Sequence, residues 1–349
     1  MANRREKMQR QKKIKTIITV VTFIVLALIT YGIRDQIAET IDNLQTANPW
    51  PILLIIPLAF VNHYSLGKLY QSVFRTLGDR FRTRSMIRLS LELNFVNNVF
   101  PSAGVSGFSY IGLRMKGEEI AAGKSALVQV MRFALQFISF QLLLGLGLLS
   151  LSIAGNANNF VIMVAASLVT LLFVGTGLAL FIISSKQRMN GFFTGLTRLA
   201  NRLIQFIRPK NPETINIRRV ERLFTELHKN YRRVRHNLLD LKKPLFYALV
   251  SNLTEVLSIF VVFIAFGASV NIGAVIIAYA VANFAGIMSV LPGGIGVYEG
   301  LMTAVLVATG VPVAISLPVI VTFRIVSMAT QLPIGYYFYQ RNLSEQTHL

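Results

Sequence analysis

The chain has no cysteine and a single tryptophan in 349 residues. Without thiols there is no disulfide framework, no thiolate nucleophile and no cysteine-ligated zinc. The four histidines (His63, His228, His236 and His348) are scattered, and none stands in a His-Glu-x-x-His zinc helix. A P-loop lysine motif is also missing, so energy from nucleotide would have to come from a partner. Acids are scarce, with 15 Asp+Glu against 35 Lys+Arg, and charged residues of all kinds make up 14% of the chain. In a soluble protein a net charge of +20 would suggest nucleic acid. Here the basic residues crowd between long apolar blocks, where the positive-inside rule and anionic headgroups explain them. The expectation is therefore no catalytic residue, no metal, no cofactor and no nucleic acid.

What is abundant is apolar sequence. Hydrophobic residues make up 53% of the chain and the mean hydropathy is +0.56. Several blocks reach the ~20 residues a helix needs to cross hydrocarbon. Residues 1–15 hold seven Lys/Arg and precede an apolar block from about Ile17 to Ile33. No small-x-small cleavage site follows, so this reads as an uncleaved first span with a cytoplasmic N-terminus. Further spans are expected at Trp50–Phe74, Ala126–Ile153, Phe160–Ser184, Leu245–Phe266 and Pro312–Tyr339. Residues 185–243 carry fifteen Lys/Arg against four acids and should be cytoplasmic. Their apolar stripes (Phe192, Leu196, Leu199, Leu203, Ile207; Val220, Leu223, Leu227, Tyr231, Val234, Leu238) describe amphipathic helices, either lying on the membrane or packed on one another.

Two stretches do not read as spans. In Leu291-Pro292-Gly293-Gly294-Ile295-Gly296-Val297-Tyr298-Glu299-Gly300, proline and glycines interrupt an apolar run. Glycine permits φ > 0 and proline cannot donate to the helical ladder, so the helix breaks here and restarts at Tyr298-Glu299, where its amides favour an anion. Gly294→Val is accordingly expected to do far more damage than Gly273→Val, nearer the end of the arm. Between Arg88 and Arg114, Pro101 and Gly104 divide two arms too short to cross, which suits a re-entrant hairpin. Pro101 precedes Arg132 by 31 residues, and Pro292 precedes Arg324 by 32. Asn94, Asn97 and Asn98 precede the first break, and Asn283 the second. The pattern is that of an inverted repeat built on interrupted helices, with substrate at the interface of the repeats.

The expected fold is an all-α polytopic membrane protein with about six full spans and two re-entrant hairpins related as an inverted repeat. It forms a single transmembrane domain over 1–349. The first half is about 1–184 with the re-entrant motif 89–117, then comes the basic loop 185–243, and the second half is about 244–340 with the re-entrant motif 272–310. The alternative for 272–291 is a full span.

Pro292-Gly293-Gly294-Ile295-Gly296-Val297-Tyr298-Glu299-Gly300, preceded by Asn97-Asn98-Val99-Phe100-Pro101-Ser102-Ala103-Gly104 and followed by an intramembrane arginine, resembles the transmembrane region of the lysylphosphatidylglycerol synthase/flippase family. The likeness covers nearly all of the chain. It departs where the family often has Glu-Arg with an acid four positions on, since here Met131 precedes Arg132 and Gln136 follows. An ion pair at the first arginine therefore lacks its local partner. The soluble acyltransferase domain of two-domain members has no counterpart in the sequence.

The resemblance implies a lipid transporter or flippase moving an anionic or aminoacylated phospholipid, or a related phosphorylated amphiphile. Arg132 and Arg324 would share a phosphate, Glu299 would meet an amine, hydroxyl or coupling proton, and Tyr298, Asn97, Asn98 and Asn283 would line the site. Pro101, Gly104, Pro292, Gly293, Gly294 and Gly296 would form the hinges. Residues 1–15 and 185–243 would touch anionic lipid, and a homo-oligomer or a separate cytoplasmic partner is left open. Each of these residues also has a structural reading. Either arginine would cap broken-helix carbonyls or pair with a glutamate, the asparagines would be interhelical glue, and Glu92 and Glu255 would snorkel to the interface. The alternatives in function are the membrane part of a phosphatidylglycerol lysyltransferase and a scaffold for a cytoplasmic partner.

Overall fold

The computed structural model describes residues 20–347, apart from 21, 23, 26, 29, 101–104, 156–158, 208–220, 222–223, 232–237 and 290. The described secondary structure is helical throughout, with no strand. The proposed hinge residues Pro101 and Gly104, and the basic start 1–15, lie outside the described residues. The described positions between 20 and 32 are helical and lead into α1 (Arg34–Thr46). Next come α2 (Pro49–Thr76), α3 (Thr83–Val99), α4 (Val105–Lys116), α5 (Ala122–Ile153), α6 (Asn159–Ile183) and α7 (Lys186–Ile207). After the basic segment follow α8 (Lys242–Ala265), α9 (Ile272–Met288), α10 (Val297–Ala308) and α11 (Val313–Thr347).

Five of these, α2, α5, α6, α8 and α11, are long and apolar enough to cross a membrane. Their outward surface agrees: Phe160, Met163, Phe173, Leu178 and Phe181 of α6 all stand exposed, an apolar area that suits lipid and not water. The chain is an all-α, multi-pass membrane protein.

Both interrupted stretches form hairpins. In the first, Tyr110 of α4 donates its hydroxyl to Glu92 of α3 at 2.9 Å, and Ser106 reaches Asn97 at 3.4 Å. In the second, α9 and α10 pack along each other and are joined through a short 3₁₀ turn, Pro292–Gly294. Helix α10 is 12 residues long, about 18 Å at 1.5 Å per residue and short of the ~30 Å hydrocarbon core. Helix α9 has 17 residues.

The two halves run in opposite directions. At the start of α2 the Asn48 amide donates to the Ala265 carbonyl at the end of α8 (2.8 Å), whereas further along α2 Asn62 donates to the Ser251 carbonyl (2.9 Å). Moving forward on α2 is thus moving backward on α8, its counterpart in the repeat. The hairpin arms are exchanged between halves. Arm α3 packs on α11, through Asn94–Gln331 at 3.0 Å and the Arg88 guanidinium over the Phe338 ring. Arm α9 packs on α5, through Phe137–Phe284 and Phe140–Tyr279.

The α5–α9 crossing is so close that a Cβ added to Gly273 would collide with the Gly147 carbonyl oxygen. The sequence reading made Gly273 a tolerant position, and the structure reverses that. Spacing along one helix cannot show that a second backbone lies against it.

In the basic segment the two amphipathic helices do pack on one another. Phe193 of α7 stacks on Phe224 at 3.6 Å, with Met189 and Leu227 buried beside them. Phe192 and Leu199 remain exposed on α7, so its apolar surface is only partly used internally.

Candidate functional site

The turn of the second hairpin meets the end of arm α3 of the first. Proline at the head of the 3₁₀ turn and glycines after it give Gly293, Gly294 and Gly296 φ values of 58°, 69° and 83°, conformations in which a Cβ is disfavoured. At Gly293 a Cβ would come within 3.1 Å of Asn98 Oδ1 and 3.1 Å of an Arg324 nitrogen. The second turn therefore presses its bare backbone against the asparagine arm of the first hairpin and against the arginine of α11.

Where α3, the second turn, α2, α5, α8 and α11 converge, they form a cavity of about 290 Å³. Arg132, Arg324, Tyr298, Asn97, Asn98 and Asn283 all line it, as do Gly293 and Gly294. Glu299, Pro292 and Gly296 do not. The lining is polar for something buried in a membrane bundle, and polar groups at that depth mark either interhelical bonds or a polar pathway. Asn62 and Asn252 act as interhelical glue: Asn62 binds α8, and Asn252 donates to the Gln136 carbonyl and the Ser139 hydroxyl of α5. Gln331 Oε1 accepts from Asn94 at 3.0 Å and from His63 Nε2 at 3.1 Å. Asn98 donates back to the Asn94 carbonyl.

The two arginines differ. Arg324 is held from three sides, by the Gly293 carbonyl at 2.6 Å, a Glu299 oxygen at 3.1 Å and the Tyr298 ring at 4.7 Å. Glu299 also accepts the Gly296 amide at 2.7 Å. The helix restart that would have offered its amides to an anion is thus capped by its own carboxylate. Glu299 is 5% exposed and sits outside the cavity wall. Its partners are the amide at the head of its own helix and the Arg324 guanidinium.

Arg132 lies over the ring of Phe133 at 4.9 Å and hydrogen-bonds the Tyr70 hydroxyl, while its Nε is buried and lacks a hydrogen-bond partner. Among the described residues no acid pairs with it. The local departure at Met131 and Gln136 has this consequence in space.

Two glutamates expected at the interface are elsewhere. Glu92 is 2% exposed, bound by Tyr110 and by Arg114 at 3.4 Å. Glu255 lines the cavity from α8, and among the described residues no hydrogen bond or ion pair holds it. Distance from the nearest basic cluster misled the sequence reading, because α8 begins well before its apolar core. The signal that would have found Glu255 is the repeat itself. It follows His63 by 192 residues, as Arg324 follows Arg132, and all four line one cavity.

The sequence profile of the lysylphosphatidylglycerol synthase TM region matches residues 16–335. The chain belongs to that family. Its relatives include archaeal proteins named UPF0104 membrane protein. In Methanothermobacter thermautotrophicus one match is 36% identical over 108 residues, 31% of this chain and 32% of the relative, so it spans about a third of that protein. Another, from the same organism, is 23% identical over 297 residues, 83% of this chain and 84% of the relative. In Methanocaldococcus jannaschii the identity is 20% over 325 residues, covering 92% and 93%. Family membership thus extends across both hairpins and every helix that builds the cavity.

Proposed function

We propose that this member of the family binds a phospholipid by its headgroup in the central cavity and carries it across the bilayer. The observation that carries the reading is Arg132, a guanidinium on the cavity wall that no acid among the described residues neutralises. Burying a charge without a partner is costly, and a phosphate would supply both the charge and the bidentate geometry that arginine prefers. Arg324 is the positioning residue. It fixes the second turn through Gly293 and Glu299 and so sets the cavity's shape. The family's description names lysylphosphatidylglycerol, whose headgroup carries amines beyond its phosphate. Glu255, on the same wall and without a hydrogen-bond or ion-pair partner among the described residues, provides the opposite charge for such a group.

Arg132→Ala is expected to weaken binding of phosphatidylglycerol to the purified full chain by about 10- to 100-fold, the loss of one charge-assisted contact of ~1.5–3 kcal/mol. Arg132→Lys should recover part of it, and thermal stability should hold in both. Glu255→Gln should reduce affinity for lysylphosphatidylglycerol while leaving phosphatidylglycerol unchanged. Proteoliposomes should show lipid movement that follows these affinities. Wild-type vesicles that move neither lipid, or an Arg132→Ala protein that binds as wild type does, would rule the reading out.

The positive-inside rule supports a cytoplasmic side for residues 185–243 and both termini. Single cysteines at Asn43, Asn158 and Ser269 are then expected to react with an impermeant maleimide in intact cells, and one at Asn211 to stay protected until the cells are opened. Reaction at Asn211 in intact cells would invert the orientation.

A further inference from the structure

A second chamber, of about 330 Å³, lies beside the first between α4, α5 and α6. Its lining is apolar, with Val105, Phe108, Val130, Ala134, Ala179 and Leu180 among its walls. Phe133 and Phe137 belong to the walls of both chambers. These two rings stand 6.2 Å apart and continue a row of aromatic contacts from Phe108 to Phe284. The partition between a polar and an apolar compartment is thus a file of rings, and the Arg132 guanidinium, which no acid among the described residues pairs, rests on the face of one of them.

On α6 the apolar chamber is bounded by Gly175, Thr176 and Ala179, small residues that leave a groove larger side chains would fill. At Gly175 an added Cβ would meet nothing within 4 Å, so the backbone is not held close by a neighbour and the missing side chain leaves open space.

We infer that this apolar chamber is an acyl-chain subsite, occupied by one chain of the same lipid whose phosphate sits on Arg132. The inference rests on the headgroup reading above and adds to it where the rest of the molecule goes. The occupant is specified by continuity. A phosphate on Arg132 lies at the partition, and from there Phe133 and Phe137, which line both chambers, lead into the groove. A polar ligand without a chain would leave that chamber unused. A bilayer chain unconnected to the headgroup would have no reason to depend on Arg132.

The test uses the full chain in phosphatidylglycerol vesicles doped with one of two photoreactive probes. One is phosphatidylglycerol bearing a diazirine on an acyl chain, and the other is a hexadecyl diazirine with no headgroup. The expected result is that the lipid probe labels α5 and α6 around Val130, Ala134 and Ala179. Gly175→Phe should cut that labelling at least about fivefold by filling the groove. Gly177→Phe lies on the same helix with equal room for a side chain and does not line the chamber, so it should not. Arg132→Ala should lower labelling by the lipid probe and leave the headless probe unchanged.

If both probes label the groove equally and Arg132→Ala alters neither, the chamber holds ordinary bilayer chains and the inference is overturned. The headgroup site is read separately, by binding of water-soluble glycerophosphoglycerol to wild type and Arg132→Ala. If that binding is insensitive to Arg132, the functional reading fails and the chain subsite fails with it. If it is sensitive while groove labelling is not, only the subsite fails.

Discussion

Arg324→Ala is expected to lower stability by about 3–5 kcal/mol, as removal of one partner of a buried ion pair does. Glu299 would be left charged and buried, and the Gly293 carbonyl would lose its donor. The measurement is thermal unfolding of purified protein in detergent, read by helical circular dichroism and by retention of monodisperse material. Adding Glu299→Gln to an Arg324→Met protein should restore most of the loss. The uncompensated charge disappears, and the glutamine oxygen can still accept the Gly296 amide. An Arg324→Ala protein as stable as wild type but unable to bind lipid would reverse the assignment, making Arg324 the phosphate contact. A pair of equal losses at Arg132 and Arg324 in binding alone would restore a shared site.

Gly273→Val should be comparably damaging, because the two backbones at the α5–α9 crossing have no room for a side chain. Overpacking costs ~1–3 kcal/mol or more where neighbours cannot move, and here the nearest neighbour is the Gly147 carbonyl. Gly294→Val should cost as much through a different route, since a positive φ is disfavoured with a Cβ and that atom would lie 3.0 Å from Gly286 Cα. Gly300→Ala is the control. It sits in a helix with nothing within 4 Å and should gain roughly 0.5–1 kcal/mol from helix propensity. Melting curves for the three variants decide the matter. A Gly273→Val protein that melts with wild type would mean that the two helices do not touch there.

These cases also mark how far the sequence could be read. The broken helix at Pro292–Gly296 was legible because proline and glycine act locally, and the positive φ values are a property of those residues. That Arg132 and Arg324 border one cavity was legible from equal spacing after two breaks. The difference in their partners was not. It depends on Glu299 turning back to its own helix cap, and a capping carboxylate and a substrate-facing one look alike in sequence. Gly273 and Glu255 were misread for the same reason, since both are defined by another helix 110 or more positions away: Gly147 in one case, and the wall shared with Arg132 in the other. His63 and Gln331 gave no local signal, as an isolated histidine or glutamine in an apolar run is ambiguous until its partner is known.

The exchange of hairpin arms between halves also sets a timetable for assembly. Asn94 is completed by Gln331, which is made 237 residues later. At a synthesis rate of ~5–20 residues per second, that is a wait of roughly 12–50 s. During it, the polar arm is already in place and its docking surface on α11 does not yet exist. Bonds within the arm's own half bridge the interval: Asn98 to Asn94, and Ser106 to Asn97. The asparagine cluster thus lets the first half wait in the membrane for the second without exposing bare amides to lipid.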